Sequence, residues 1–173
     1  MCSSDLYGAS KRAMESIFRQ SPGPTVFTMV RYGNVVASNG SVIPTWRMQA
    51  DAGQPLTLTG RYMTRFWMGK SDAVQLIERA LLREGGTISI PKMGALSIVA
   101  MAAIIAPGSP VIDLGVRSRE KTHEDLIHFD EPVIDVGRDF ILDDTHGRPG
   151  TSYTSDKAPC IPSEQFLSML EEA

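Results

Sequence analysis

Residues 8–41, GASKRAMESIFRQSPGPTVFTMVRYGNVVASNGS, contain one whole passage from helix to strand to loop, and their reading decides the fold class. Residues 8–20 predict a helix with Ala13, Met14, Ile17 and Phe18 on one side. Ser21-Pro22-Gly23-Pro24 stops it, because two prolines and a glycine cannot continue the hydrogen-bond ladder. Residues 25–30 (TVFTMV) are a short apolar run, predicted as a buried strand. A loop rich in Gly, Asn and Ser follows over residues 32–41.

The same alternation continues outward. Residues 43–52 predict a helix, 55–59 and 64–68 short strands, and 71–83 a helix opened by Ser71-Asp72 with a stripe of Ala73, Ile77, Ala80 and Leu81. Gly85-Gly86 ends that helix. Residues 87–90 predict a strand, 97–106 a helix, 111–116 a strand, 120–128 a short helix, and a last helix starts at Ser163 with Phe166 and Leu170 on one face. Helix and strand in alternation argue for an α/β fold. Yet no Gly-x-Gly-x-x-Gly fingerprint occurs, although a doubly wound domain opens on its phosphate-binding turn.

Composition excludes several classes. Of 173 residues, 42% are hydrophobic and 21% charged, which fits a globular chain and not a disordered one. Residues 96–107 (LSIVAMAAIIAP) are too short to cross a bilayer and read as a buried helix. Cys2 and Cys160, at opposite ends, fit a reducing compartment, so a cytoplasmic location without membrane contact is expected. Net charge is −3, but residues 1–70 carry a net +5 and residues 71–173 a net −8. A basic first portion in an acidic chain suits a small anionic ligand better than nucleic acid.

Tyr7 and Lys11 stand four residues apart, on one helical face. A lysine ammonium beside a phenol stabilises the phenolate, so such a tyrosine can exchange a proton with a substrate hydroxyl near neutral pH. The pair alone is common. It is followed, however, by Arg31-Tyr32-Gly33-Asn34-Val35, Gly40-Ser41-Val42-Ile43-Pro44, Met63-Thr64-Arg65-Phe66-Trp67 and Arg117-Ser118-Arg119-Glu120-Lys121-Thr122-His123-Glu124. This ordered series resembles the short UDP-N-acetylglucosamine 4,6-dehydratases (inverting) of the extended short-chain dehydrogenase/reductase family, from Leu6 nearly to the C-terminus.

The resemblance implies a role for each matched residue. Tyr7 and Lys11 match the catalytic tyrosine and the lysine that also holds the nicotinamide ribose, so NADP or NAD is the implied cofactor. Asn34 matches an asparagine lining the sugar and diphosphate pocket, and Ser41 and Val42 match the loop that closes over the nucleotide. Arg65 matches an arginine on the diphosphate, in keeping with the forked donors of a guanidinium. Arg117 and Glu120 match an arginine on phosphate and an acid on the uridine ribose. The implied partner is a UDP-sugar, without nucleic acid, membrane or metal, and the parent enzyme is expected to be a homo-oligomer. The implied reaction oxidises C4 of the sugar, eliminates water across C5–C6 and returns hydride to C6, with C5 epimerisation as a further step. It would serve surface-glycan or flagellin sugar synthesis. A nucleotide-sugar 4-epimerase and an inactive remnant are the alternatives.

Departures from the family pattern bear on these assignments. Ser118 and Arg119 replace Pro and Gly, and an arginine at a glycine position removes backbone freedom. The Asp-Lys pair that assists elimination would lie upstream of Tyr7, and Thr154-Ser155-Asp156-Lys157-Ala158 resembles it only by coincidence, in what reads as a surface tail. Residues 1–5 (MCSSD) do not fit the family and read as a non-native start. Residues 6–173 are therefore expected to be the C-terminal part of a Rossmann-like extended short-chain dehydrogenase with its small substrate-binding subdomain, the Gly-rich N-terminal half missing. His123-Glu124-Asp125-Leu126-Ile127-His128 imitates a zinc motif, but its histidines are five apart, about 140° around a helix instead of about 40°. Incubated alone with UDP-N-acetylglucosamine and NADP, the chain is expected to give no keto-sugar above background; clear turnover would refute the reading of it as a part.

Overall fold

The computed structural model describes residues 6–38, 40–116 and 120–172; of Leu6 and Tyr7 it describes the backbone only. In chain order the elements are α1 (Leu6–Arg19), β1 (Met29–Val30), β2 (Asn34–Val35), α2 (Val42–Asp51), β3 (Leu56–Leu58), β4 (Thr64–Met68), α3 (Lys70–Leu81) and β5 (Ile88–Pro91). They continue with β6 (Ala95–Ser97), α4 (Ile98–Ile105), β7 (Val111–Asp113), β8 (Asp125–Ile127), β9 (Val133–Asp135), β10 (Asp139–Leu142), β11 (Tyr153–Thr154) and α5 (Ser163–Glu171). The fold class is α/β. The chain forms two compact units, one of Met1–Tyr32, Val74–Lys92 and Asp125–Tyr153, the other of Gly33–Ala73, Met93–Glu124 and Thr154–Ala173.

The first unit is built on a mixed sheet in the order β1-β5-β10-β9. β1 runs parallel to β5, with Met29 beside Ile88, while β10 is antiparallel to both β5 and β9. All four residues of β5, Ile88, Ser89, Ile90 and Pro91, are buried. The expected strand over residues 25–30 is shorter: only Met29 and Val30 join the ladder, and Val26 is 71% exposed. β1 stands at the sheet edge with β5 as its one neighbour among the described residues, so the run before it has no ladder to enter. Likewise Met14 and Ile17 of α1 are exposed, and in α3 the buried positions are Ala73, Leu76 and Ala80, with Ile77 and Leu81 outside.

Arg31 ties this unit together. Its guanidinium donates to both oxygens of Glu15 on α1 (2.7 and 3.0 Å), both oxygens of Glu131 (2.9 and 3.0 Å) and the Leu126 carbonyl (2.8 Å). Burial opposes the charge on Glu131, but the hydrogen bonds from Arg31 and the His128 N–H together with the charges of Arg31 and His128 outweigh it and hold the carboxyl below its usual range. A second bidentate pair, Arg79 to the buried Asp139, fixes α3 to β10.

The second unit carries two small sheets, β2-β4-β6 and β3-β7. β2 is parallel to β4, β4 antiparallel to β6, and β3 parallel to β7. Strand β6 (Ala95–Ser97) was not expected from the sequence; it is three residues long and runs directly into α4, whose N-cap Ser97 accepts from Ala100 N–H. The core joins Trp46, Leu56, Leu58, Trp67, Met101 and Phe166, with Trp67 edge-on to Phe166 at 5.8 Å. Gly33 passes so close to β4 that a methyl there would run into the Cβ and carbonyl of Phe66.

The expected helix over 120–128 is absent; Asp125–Ile127 is strand β8. The residues before it turn their side chains inward to β4 instead of closing helical hydrogen bonds, so the helical angle between His123 and His128 has no bearing on them. His123 Nδ1 lies 2.8 Å from Thr64 Oγ1. Nor are residues 154–158 a surface tail throughout: Ser155 is buried, donates to the Thr64 carbonyl and accepts from Glu124 N–H.

Arg31→Met should lower the unfolding free energy by about 3 kcal/mol, since it strands two carboxylates of a partly buried cluster. A urea titration reads this directly, and a loss below about 0.5 kcal/mol would reduce the cluster to an ordinary surface pair.

Candidate functional site

A cavity of about 560 Å3 opens in the second unit. The loop after β2 and the start of α2 give Ser38, Gly40, Ser41, Val42, Thr45 and Trp46; β3 and its end give Thr57, Leu58 and Thr59; β4 gives Arg65 and Trp67. Asn34, Met63, Ile98, Leu114 and Glu120 complete the lining. The walls on either side of α2 and β3 are pinned by polar bonds. Trp46 Nε1 donates to the Thr57 carbonyl (2.8 Å), and the Gln49 amide bonds both the N–H and the hydroxyl of Thr57 (3.1 Å each).

Three polar atoms on this lining are enclosed and without a partner among the described residues: Ser41 Oγ, Trp67 Nε1 and Glu120 Oε2. Leaving a buried polar atom unpaired costs about 1–3 kcal/mol, so such atoms mark where a ligand can bond. Ser41 is the N-cap of α2, yet its side chain makes no cap bond, and the helix start with its free N–H groups borders the cavity. Glu120 Oε1 accepts from Thr59 Oγ1 at 3.0 Å.

Arg65 is held firmly. Nη1 donates to the Thr64 and Thr122 carbonyls (2.8 and 3.1 Å), and Nη2 contacts Met63 Sδ (3.3 Å). Glu120 lies 3.8 Å from Nη2 and Glu124 4.0 Å from Nε. Glu124 in turn accepts from Phe66 N–H at 2.8 Å and from the Asn34 amide at 3.0 and 3.2 Å. Burial is the first cause lifting the Glu124 carboxyl above its usual range, offset by the bonds from Phe66 and Asn34 and the charges of Arg65 and Lys121.

Asn34, Ser41, Val42, Arg65 and Glu120, far apart in sequence, thus line one cavity. Lys11 lies on α1 in the other unit, exposed, one turn beyond Tyr7. The Tyr7 side chain and the whole of Arg117 lie outside the described residues. Sequence reasoning missed Thr59, Trp67, Glu124 and Ser155. Thr59 lies outside the quoted motifs; Trp67 and Glu124 were inside them, but Trp67 was given no role and Glu124 was weighed only as part of a false zinc pattern. Among the described residues, no group of three or more His, Cys, Asp or Glu side chains could hold a metal ion, and no helix is long and apolar enough to cross a membrane.

An α/β chain with a polar cleft beside a helix start and a fixed arginine defines the class; comparison with known proteins gives the family. Residues 2–141 match the family described as polysaccharide biosynthesis protein, and the chain belongs to it. It is 32% identical, over 94% of its length, to UDP-N-acetylglucosamine 4,6-dehydratase (inverting) of Campylobacter jejuni, and spans 58% of that protein. It is 37% identical over 72% of its length to UDP-glucose 4-epimerase of Rickettsia massiliae, spanning 39% of it. Among solved structures, Pen from Bacillus thuringiensis superposes with a TM-score of 0.83 at 28% identity, over 96% of this chain and 57% of that one. The dTDP-glucose 4,6-dehydratase of Bacillus anthracis shares the fold at a TM-score of 0.55 and 16% identity, over 68% and 42% of the two chains.

A carboxyl whose folded-state pKa is raised binds more protons folded than unfolded, so its stability is fully present below the ordinary value of 4.5 and is lost as pH rises through the raised one. Unfolding free energy should therefore decline over that window, and Glu124→Gln should remove this part of the slope. Identical slopes in urea titrations of the two proteins across that pH range would show that Glu124 is not the group responsible.

Proposed function

We propose that this chain binds a UDP-linked hexosamine in the cavity of its second unit and serves a 4,6-dehydratase acting on UDP-N-acetylglucosamine. The observation that carries the reading is the convergence of Asn34, Ser41, Val42, Arg65 and Glu120 on one cavity that has a helix start and enclosed unpaired polar atoms. The names of the Campylobacter relatives supply the reaction. In this reading the Arg65 guanidinium and the N–H groups opening α2 take the diphosphate. Glu120 Oε2, an acceptor, takes a ribose hydroxyl, and Arg117 adds a second cation.

Tyr7 and Lys11, one turn apart on α1, would hold a nicotinamide cofactor, NADP or NAD, by its ribose. When bound, that group supplies hydride acceptance and return. Tyr7 takes the proton from the C4 hydroxyl as a phenolate stabilised by Lys11. The similarity to UDP-glucose 4-epimerase favours a second reading, in which the same groups serve C4 inversion without loss of water. The products separate the two, since only the dehydratase forms a dehydrated keto-sugar.

Calorimetric titration of the chain with UDP-N-acetylglucosamine tests the binding part. Arg65→Ala should weaken it by about 1.5–3 kcal/mol, the range for hydrogen bonds to charged groups, and Tyr7→Phe should leave it unchanged. In an enzyme carrying this segment, Tyr7→Phe should instead cut turnover by about 10²–10⁴-fold. An Arg65→Ala protein that binds like wild type would refute the diphosphate assignment.

A further inference from the structure

We propose that Glu124 is a positioning residue that fixes the Asn34 amide with its carbonyl oxygen toward the cavity, so that Asn34 recognises a hydrogen-bond donor on the sugar and not a phosphate oxygen. This rests on the UDP-sugar reading above and assigns one part of the ligand to one side chain.

The argument is a count of donors and acceptors. Asn34 lines the cavity and has two amide protons. Nδ2 donates to the Phe66 carbonyl at 3.0 Å and to Glu124 Oε1 and Oε2 at 3.0 and 3.2 Å, which uses both. Oδ1 has no hydrogen bond among the described residues and is not one of the enclosed, unpartnered atoms. It is what Asn34 has left to offer. The reversed amide would set Oδ1 against a carbonyl and a carboxylate, acceptors that repel it. Glu124 cannot turn away to permit this, because its Oε2 also holds Phe66 N–H at 2.8 Å and its own N–H is held by Ser155 Oγ at 2.8 Å. A phosphate oxygen is likewise an acceptor and would be repelled by Oδ1. A sugar hydroxyl or an acetamido N–H is the group that fits.

The test exchanges the two side chains' chemistry. In Glu124→Gln, the new amide oxygen can still accept from Phe66 N–H, but its NH2 group then meets the Asn34 NH2 group. Asn34 must turn, and presents a donor to the cavity. Titration of the chain with UDP-N-acetylglucosamine should then show affinity reduced about tenfold or more, while affinity for UDP, which lacks the sugar, stays within about twofold. Adding Asn34→Asp returns an acceptor oxygen to the cavity at unchanged net charge but sets its other oxygen against the Phe66 carbonyl, so Glu124→Gln with Asn34→Asp should bind the UDP-sugar more tightly than Glu124→Gln alone and less tightly than wild type. Should Glu124→Gln fail to fold in a thermal melt, Asn34→Ala carries the test: it removes the acceptor, keeps Glu124, and must weaken the UDP-sugar while sparing UDP. Equal affinity of wild type and Glu124→Gln for the UDP-sugar, or equal losses for UDP and the UDP-sugar, overturns this inference alone. Failure of the wild-type chain to bind UDP-N-acetylglucosamine overturns the proposed function itself.

Discussion

The carboxylate of Glu124 is the constraint on which the second unit depends. It lies in none of the strands, yet it takes the Phe66 N–H of β4 and the side chain of Asn34 at the start of β2. Its own backbone is held by Ser155, whose hydroxyl also reaches the Thr64 carbonyl. Segments some thirty and ninety residues away in the chain are thereby joined to one residue, through its backbone and its side chain respectively. The cost is the burial of a charge, visible in the raised Glu124 carboxyl. Three hydrogen bonds to the carboxylate and a guanidinium at 4.0 Å offset it.

Arg31 plays the corresponding part in the first unit with the opposite sign of charge, a cation between two carboxylates. Both devices fix a short segment by ion-assisted hydrogen bonds. That suits elements as short as β1 and β2, two residues each, which have too few ladder bonds to set their own position.

What could be read from the sequence follows from range. α2, β4, α4 and α5 were legible because their apolar spacing, caps and flanking breakers are local. The helix expected over 120–128 was wrong because the Glu124 side chain is committed to Phe66 and Asn34, a tertiary bond that no window of nearby residues contains. Residues 154–158 read as a surface tail by composition, while the burial of Ser155 is imposed by Thr64 and Glu124. Position along α1 suggested an apolar stripe, but Met14 and Ile17 lie exposed, since a helical period states which residues share a face and not whether that face is covered. Around the cavity, the polar positions inside recurring motifs were legible one by one. Trp67 Nε1 was not, because a tryptophan in a strand reads as core, and here it is both core and, at its nitrogen, unpaired.

The charge balance of the cavity bears on what it can hold. Among the described residues Arg65 is the one cation in its lining, and two carboxylates stand within 4.0 Å of it. Glu120 and Glu124 lie near enough to share the charge of this guanidinium, so an anion bound to it competes with them. The guanidinium is good at fixing the direction of its remaining N–H groups, since its other donors are spent on the Thr64 and Thr122 carbonyls. A free phosphate would gain little here against the repulsion of Glu120. An anion joined to a group that gives Glu120 Oε2 and Asn34 Oδ1 the donors they lack gains on both counts, as each acceptor turns from a repulsive neighbour into a partner. In the reading proposed above, the cleft would favour a diphosphate carrying hydroxyl-bearing groups over a bare phosphate.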